Sequence, residues 1–320
     1  MRVECLNSNT VLPQASRPSS RRPLGLRAEG RGPRVAVFVF VFALTAQATT
    51  IGIDQLALWA GGTIGLGSGV SIDAPIASGG NISTGSNVNL TYVYTESNVW
   101  LGNNTVVSGD VFANGQVQTG SNVVIGGSSS SFADFTLPQL DFLQQSAFGT
   151  DNIYGPKNST TTLTAGEYAD WSFDKNTTLN LSAGEYSLKN FWLGKDGVVN
   201  IDTSAGDVTL NLVGQFSTSS DVSFITSGSG SLYINIFGSS AWLGRGTSLA
   251  AAMTVYGGDF GAGRSAQLTG SFFATGNIWL DRDSQLGFVS YQEIPEPSSL
   301  VIFAVSGLCF LVRKNRAARC

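Results

Sequence analysis

The chain has 320 residues, 42% of them hydrophobic, with 39 glycines, three cysteines and no histidine. Its net charge of −4 hides an asymmetry: residues 49–297 keep 7 of the 18 Lys+Arg and 20 of the 22 Asp+Glu, a net −13. Such a body disfavours nucleic acid and anionic lipid, which need clustered cations, and Cys5, Cys309 and Cys320 all lie outside it, so it can hold no disulfide framework, thiolate nucleophile, histidine base or His/Cys zinc site.

In chain order, the stretch from Met1 to Arg34 carries seven arginines and leads into the apolar run "VAVFVFVFAL" (35–44) and then Ala46-Gln47-Ala48. Positive charge, a short apolar core and small residues at Ala46 and Ala48 predict a secretory signal peptide over 1–48. Ten apolar residues fall well short of the roughly 20 that a permanent span needs. The Arg21-Arg22 pair lies too far from the apolar core to mark a twin-arginine signal.

Residues 49–293 form the body. From Val70, every sixth residue is apolar: Val70, Ile76, Ile82, Val88, Tyr94, Trp100, Val106 and Phe112. A six-residue step with one bulky side chain directed inward is one side of a β-solenoid, and three steps make a coil. Two longer repeats measure that coil: "LTAGEY" (163–168) recurs as "LSAGEY" (181–186), and "AGDVTLNLVG" (205–214) recurs at a wider interval as "SGSLYINIFG" (229–238). Trp-Leu-Gly occurs at 100–102, 192–194 and 242–244, with Trp279-Leu280 as an echo, and "GDVFANG" (109–115) resembles "GSFFATG" (270–276). The predicted fold is all-β, a parallel β-helix or β-solenoid with coils of about 18–24 residues and one short inserted helix. That helix is expected within 131–149, where Leu137, Leu140, Leu143 and Ala147 follow helical spacing and Pro138 is tolerable in a first turn. It would pack on the solenoid or cap an open end.

Candidate chemistry is thin. The recurring tryptophans could stack on sugar rings, but an aromatic repeated once per coil group is expected to fill a corner or the core. Glu167 and Glu185 could form a carboxylate ladder for a cation, though like charges in adjacent coils repel unless metal-bound, and turn positions are the expectation. Asp281-Arg282-Asp283 is the most enzyme-like cluster. Neighbours on a strand point to opposite faces, so a surface turn is expected there too. Asn180, Asn200, Asn211 and Asn235 alternate with aliphatics, which fits either an inward amide ladder or an outward row. Sequon-like triplets such as "NNT", "NST" and "NTT" arise readily in so hydroxyl-rich a chain. Thr160 to Thr162 could contribute to a carbohydrate- or ice-binding row. No catalytic residue and no metal ligand is assigned. No cofactor is expected, and calcium is allowed by charge alone, without a motif.

The tail, 294–320, carries Pro295-Glu296-Pro297, an apolar run from Leu300 to Val312, and then Arg313, Lys314, Arg316 and Arg319. Basic residues after a short apolar segment hold that end in the cytoplasm. This order and position closely resemble the PEP-CTERM sorting signal of bacterial exosortase systems. The resemblance implies transient anchoring in the inner membrane, cleavage by exosortase near Pro295-Glu296-Pro297, and delivery to the cell envelope or extracellular matrix. Cys309 and Cys320 are not part of that motif. The body is similar in style to β-solenoid surface proteins of exopolysaccharide producers. The expected function is therefore a secreted structural or adhesive protein of envelope or biofilm matrix, with exosortase as a transient partner, exopolysaccharide as a candidate one, and no nucleic acid. Its rivals are a β-helix polysaccharide lyase or glycosidase and a carbohydrate- or ice-binding surface protein.

Overall fold

The computed structural model describes residues 51–131, 136–140, 143 and 147–289. Short parallel strands stack coil on coil, as in the chain of partners Val117, Val99, Ile82, Ile64, Ile278 and Phe260. The body is thus a parallel β-solenoid with three faces. Face 1, which includes Ile64–Leu66, is an 11-stranded sheet. Face 2, through Ser71–Ile72, and face 3, through Leu58–Ala60, together make a 20-stranded sheet, because Ser248–Val255 and Gln267–Ala274 bend round a corner and serve both.

Alternation within each strand decides what lies inside. Ile64 and Leu66, Leu210 and Leu212, or Phe191 and Leu193 point inward and join one continuous core. The coils that follow Ile153 hold aromatic filler, including Trp171, Phe173, Phe191 and Phe216, with Phe191 and Phe216 stacked at 4.7 Å. Those that precede Ser131 use Val, Ile and Leu. At the corner between faces 1 and 2 every coil carries one residue at positive φ, either Asn, Asp, Ser or Gly, among them Asn87 (58°), Gly69 (76°), Asp283 (61°) and Asn176 (58°). Asn and Asp tolerate this conformation better than other side chains, and glycine takes it freely.

Stacking order differs from chain order. The first coil sits between its successor and the last coil, so Leu58 pairs with both Ile76 and Phe272. The chain therefore winds outward from the middle to Ser129–Ser131, crosses to the opposite end, and winds back from Ile153–Gly155. Eleven strands in a face put about 48 Å between the two ends. The connecting segment 132–152 would reach only about 32 Å as a continuous helix and up to about 70 Å extended.

The short helix expected within 131–149 is absent where that segment is described. Residues 136–140, 143 and 147–149 have no regular secondary structure, and the rest of that segment lies outside the described residues. The helical spacing of Leu137 and Leu140 reflects a different contact. Both pack on the outer surface of face 3, with Leu137 joining Ile51, Leu56, Trp59, Ala77, Tyr94 and Phe273 in a second apolar cluster. Leu137 N–H also donates to Glu96 Oε1 at 3.2 Å, and Pro138 disfavours the helical region for Leu137. Much of face 3 is buried on both sides. Ser187, Asn211, Asn235, Thr254, Phe273 and Trp59 all point away from the core, yet all are buried.

The six-residue register holds for Val70, Ile76, Ile82 and Val88, which are completely buried, and then slips. The corner Thr91-Tyr92 is one residue shorter than its equivalents Asp73-Ala74-Pro75 and Ser108-Gly109-Asp110, so Ile76 pairs with Val93 at a step of 17. A one-residue slip turns every later side chain over. Val93, Val99 and Val111 take the inward positions, whereas Tyr94, Trp100, Val106 and Phe112 face outward. Later coils are longer, as from Phe191 to its partner Phe216. Ile82→Asp or Val99→Asp is expected to cost about 4 kcal/mol or more, since the buried carboxylate gains no partner. Val106→Asp, on the exposed side, should cost less than about 1 kcal/mol. Chemical denaturation of the three variants checks this; equal losses would contradict the register.

Candidate binding face

The Trp-Leu-Gly repeat has three separate physical causes. Its leucine points into the core: Leu101, Leu193 and Leu243 are all buried. Its glycine lies where the next coil packs closest. A Cβ on Gly102 would meet Gly85 O at 2.2 Å, and one on Gly244 would meet Ser219 O at 2.1 Å. Its tryptophan, before the leucine, must then face outward. Trp100, Trp192, Trp242 and Trp279 are 40–56% exposed, so the repeat marks a surface and not the core filler that the sequence suggested.

All four fall in a single column of face 1. From one end the column reads Tyr154, Ser172, Trp192, Ser217, Trp242, Gly261, Trp279, Gly65, Ser83, Trp100, Gln118. Aromatic rings thus alternate with Ser or Gly on successive rungs from Tyr154 to Trp279, and Trp100 stands three rungs further on. The small residues make room for the rings. A Cβ at Gly261 would lie 2.1 Å from Trp242 Cζ3, and one at Gly65 would lie 2.8 Å from Trp279 Cδ1. The Trp242 and Trp279 indoles are parallel within 8° with centroids 6.0 Å apart. An open recess of about 580 Å³ extends from them over Gly65, Ser83 and Gly85. At the far end Tyr154 O–H donates to Asp174 Oδ2 at 2.6 Å, which pushes the phenol above its ordinary pKa.

Polar rims flank the column. On the side entering face 1, amide oxygens of Asn and a carboxylate oxygen of Asp accept backbone N–H groups of the next coil: Asn81 from Asn98, Asn98 from Gln116, Asp259 from Asn277 and Asn190 from Gln215. On the side leaving it, one corner position carries Lys157, Lys175, Lys195, Arg245, Arg264 and Arg282, six of the seven cations of the body. Three of them meet carboxylates at that corner: Lys195 to Asp196 at 3.4 Å, Arg245 to Asp221 at 3.6 Å, and Arg264 to Asp283 at 3.2 Å. These exposed pairs are each worth about 0–1 kcal/mol.

The remaining candidates disperse. Asp281-Arg282-Asp283 is a surface turn: Asp281 Oδ1 accepts the Arg282 N–H at 2.7 Å, and Asp283 holds the positive-φ corner. Glu167 and Glu185 do not stack, because two extra residues shift the register and set Glu167 opposite Ser187 and Glu185 opposite Thr209. Asn211 Nδ2 donates to Glu185 Oε1 at 2.6 Å. All four asparagines face outward, with Asn200 donating to Asn180 on exposed face 2 and Asn235 to Asn211 on buried face 3. Thr160 and Thr162 are outward on face 2, but the column through Thr160 continues as Thr178, Val198, Ser223, Ser248 and Gln267, so no single residue type repeats. Among the described residues no group of three or more Asp, Glu, His or Cys could hold a metal ion, and no helix is long and apolar enough to cross a membrane. Ala46, Ala48, Pro295, Glu296, Pro297, Arg313, Lys314, Arg316 and Arg319 lie outside the described residues.

No family model matches this chain, and no curated protein matches it significantly. Among solved structures, an ice-binding protein from the Antarctic ascomycete Antarctomyces psychrotrophicus aligns over 76% of this chain and 100% of its own, with 14% identity and a TM-score of 0.38. An ice-binding protein from an Antarctic bacterium, Flavobacteriaceae, aligns over 78% and 100%, with 10% identity and a TM-score of 0.28.

The two kinds of glycine separate experimentally. Gly261→Ala displaces the free end of a side chain, so its melting midpoint should stay within about 3 °C of the parent while indole fluorescence changes. Gly244→Ala collides with backbone and should lower the midpoint by about 8 °C or more. Thermal melts followed by fluorescence decide it, and the reverse ranking would refute the assignment.

Proposed function

We propose that this chain is an exported, non-catalytic β-solenoid of the bacterial envelope or extracellular matrix, acting by adhesion through its exposed aromatic face. One observation carries the adhesive reading: five aromatic side chains share one exposed column that contains no charged residue. An open column of this kind offers contact area along its whole length.

The rival, a β-helix lyase or glycosidase, needs carboxyl groups held across a sugar about 5–9.5 Å apart. The carboxylates that flank the ladder sit on its two rims, Asp259 on one and Asp221, Asp281 and Asp283 on the other, with the three residues of a face 1 strand, about 10 Å or more, between them, and Asp221 and Asp283 pair with arginines. Export and sorting rest on the two terminal signals. Ala46-Gln47-Ala48 supplies the first cleavage, and Pro295-Glu296-Pro297, before an apolar run and a basic end, supplies the second.

Two measurements test the proposal. Mass spectrometry of protein recovered from the culture medium should find a chain starting near Thr49 and lacking the final apolar run, and an intact peptide spanning 294–313 in that material would refute the second cleavage. The same protein should release no reducing ends or unsaturated products from neutral and acidic polysaccharides, with or without calcium. Turnover abolished by Asp281→Asn or Asp283→Asn would establish the enzyme instead.

A further inference from the structure

The ligand suited to the aromatic face follows from its pitch, its rims and its charge. Tyr154, Trp192, Trp242 and Trp279 stand on every second rung. Two rungs of backbone span about 9.6 Å, but the Trp242 and Trp279 indoles lean together to centroids 6.0 Å apart and parallel within 8°, so they form one continuous apolar platform long enough for neighbouring pyranose units of an extended β-(1→4)-linked chain. Successive units of such a chain are related by a half turn. Both faces of each such pyranose carry axial C–H groups, so neighbouring units can lie together on the Trp242–Trp279 platform. A straight ladder also requires a straight ligand, which an α-linked chain that coils is not.

Both rims offer donors and acceptors together, as hydroxyl groups require. One carries the amides and carboxylates of Asn190, Asp259 and Asn277, and the other the arginines and carboxylates that begin with Arg245 and Asp221. At the basic corner six cations face five carboxylates, Asp174, Asp196, Asp221, Asp281 and Asp283. That near-balance, on a body of net −13, favours an uncharged chain over a polyanion.

We infer that face 1 binds an extended, uncharged, β-(1→4)-linked polysaccharide chain lying along the solenoid axis, with the joined Trp242–Trp279 platform under neighbouring sugar rings and Trp192 under the chain further along the same column. This rests on the adhesive reading and adds its ligand. The test is isothermal titration of the purified full-length chain in mild detergent with cello-oligosaccharides of two to eight units and with soluble mixed-linkage β-glucan. Alginate and dextran serve as the acidic and α-linked arms. Affinity should rise with oligomer length until the chain spans Trp192 to Trp279. Trp192→Ala, Trp242→Ala and Trp279→Ala should each weaken binding about 3- to 10-fold, and the last two combined should weaken it further. Trp59→Phe, on covered face 3, should leave binding unchanged.

Absence of β-glucan binding, binding indifferent to the double variant, or preference for alginate or dextran would overturn the inference. So would adsorption to ice, or a dimer of this chain, that the tryptophan variants abolish, since either gives the face another occupant. Those results leave an adhesive, non-catalytic protein in place, whereas release of reducing ends would overturn that reading itself.

Discussion

The parallel backbone ladder governs everything else in this molecule. Each coil donates to and accepts from its neighbours at a repeat of about 4.8 Å, so a residue's position in its coil determines which residues lie directly above and below it. Side chains therefore work as columns. The positive-φ corner shows the effect: its N–H groups bond carbonyls of the next coil, from Asn104 to Ser121, Asn87 to Asn103, and on to Asp221 and Arg245. One coil unable to adopt that turn would break the ladder for both neighbours, and Asn, Asp, Ser or Gly fills every position.

The same rule separates the three faces. Face 3 carries Trp59, Tyr94 and Phe273 on its outer side, and the cluster with Ile51, Leu56 and Leu137 takes that apolar surface from water. Face 1 carries Trp100, Trp192, Trp242 and Trp279 on its outer side and keeps them exposed. Exposed aromatics in a line are costly to leave in water and characteristic of contact surfaces. The adhesive contact proposed for this protein is therefore assigned to face 1. Its rims bond along the axis between coils, which ties successive rungs of the column together.

Much of the architecture is legible from repetition. The interval from "AGDVTLNLVG" to "SGSLYINIFG" matches the pairing of Leu210 with Ile234, and "GDVFANG" and "GSFFATG" occupy equivalent strands of face 3. The four tryptophans are visible as a repeat, yet expecting them at a corner or in the core was an error, because periodicity locates a column without saying which side of the sheet it faces. The adjacent leucine holds the clue: in Trp-Leu-Gly only one of the first two residues can point inward. The cation row is harder to see, since Lys157, Lys175, Lys195, Arg245, Arg264 and Arg282 are spaced irregularly along the chain. Coil insertions hide their alignment.

Local chemistry set the strands, the turn residues and the coil as the unit, since alternation and positive-φ tolerance act within a few residues. Register and stacking order were decided by long-range contacts. A single residue missing at Thr91-Tyr92 reverses inside and outside for the coils that follow, and the first coil finds its partner near the far end of the solenoid sequence, Leu58 on Phe272. The linear order contains no term for that pairing. The aromatic column exists only after the two halves meet at Gly65 and Trp279, because the backbone ladder can align Trp100, Trp192, Trp242 and Trp279 only when the coils between them are stacked.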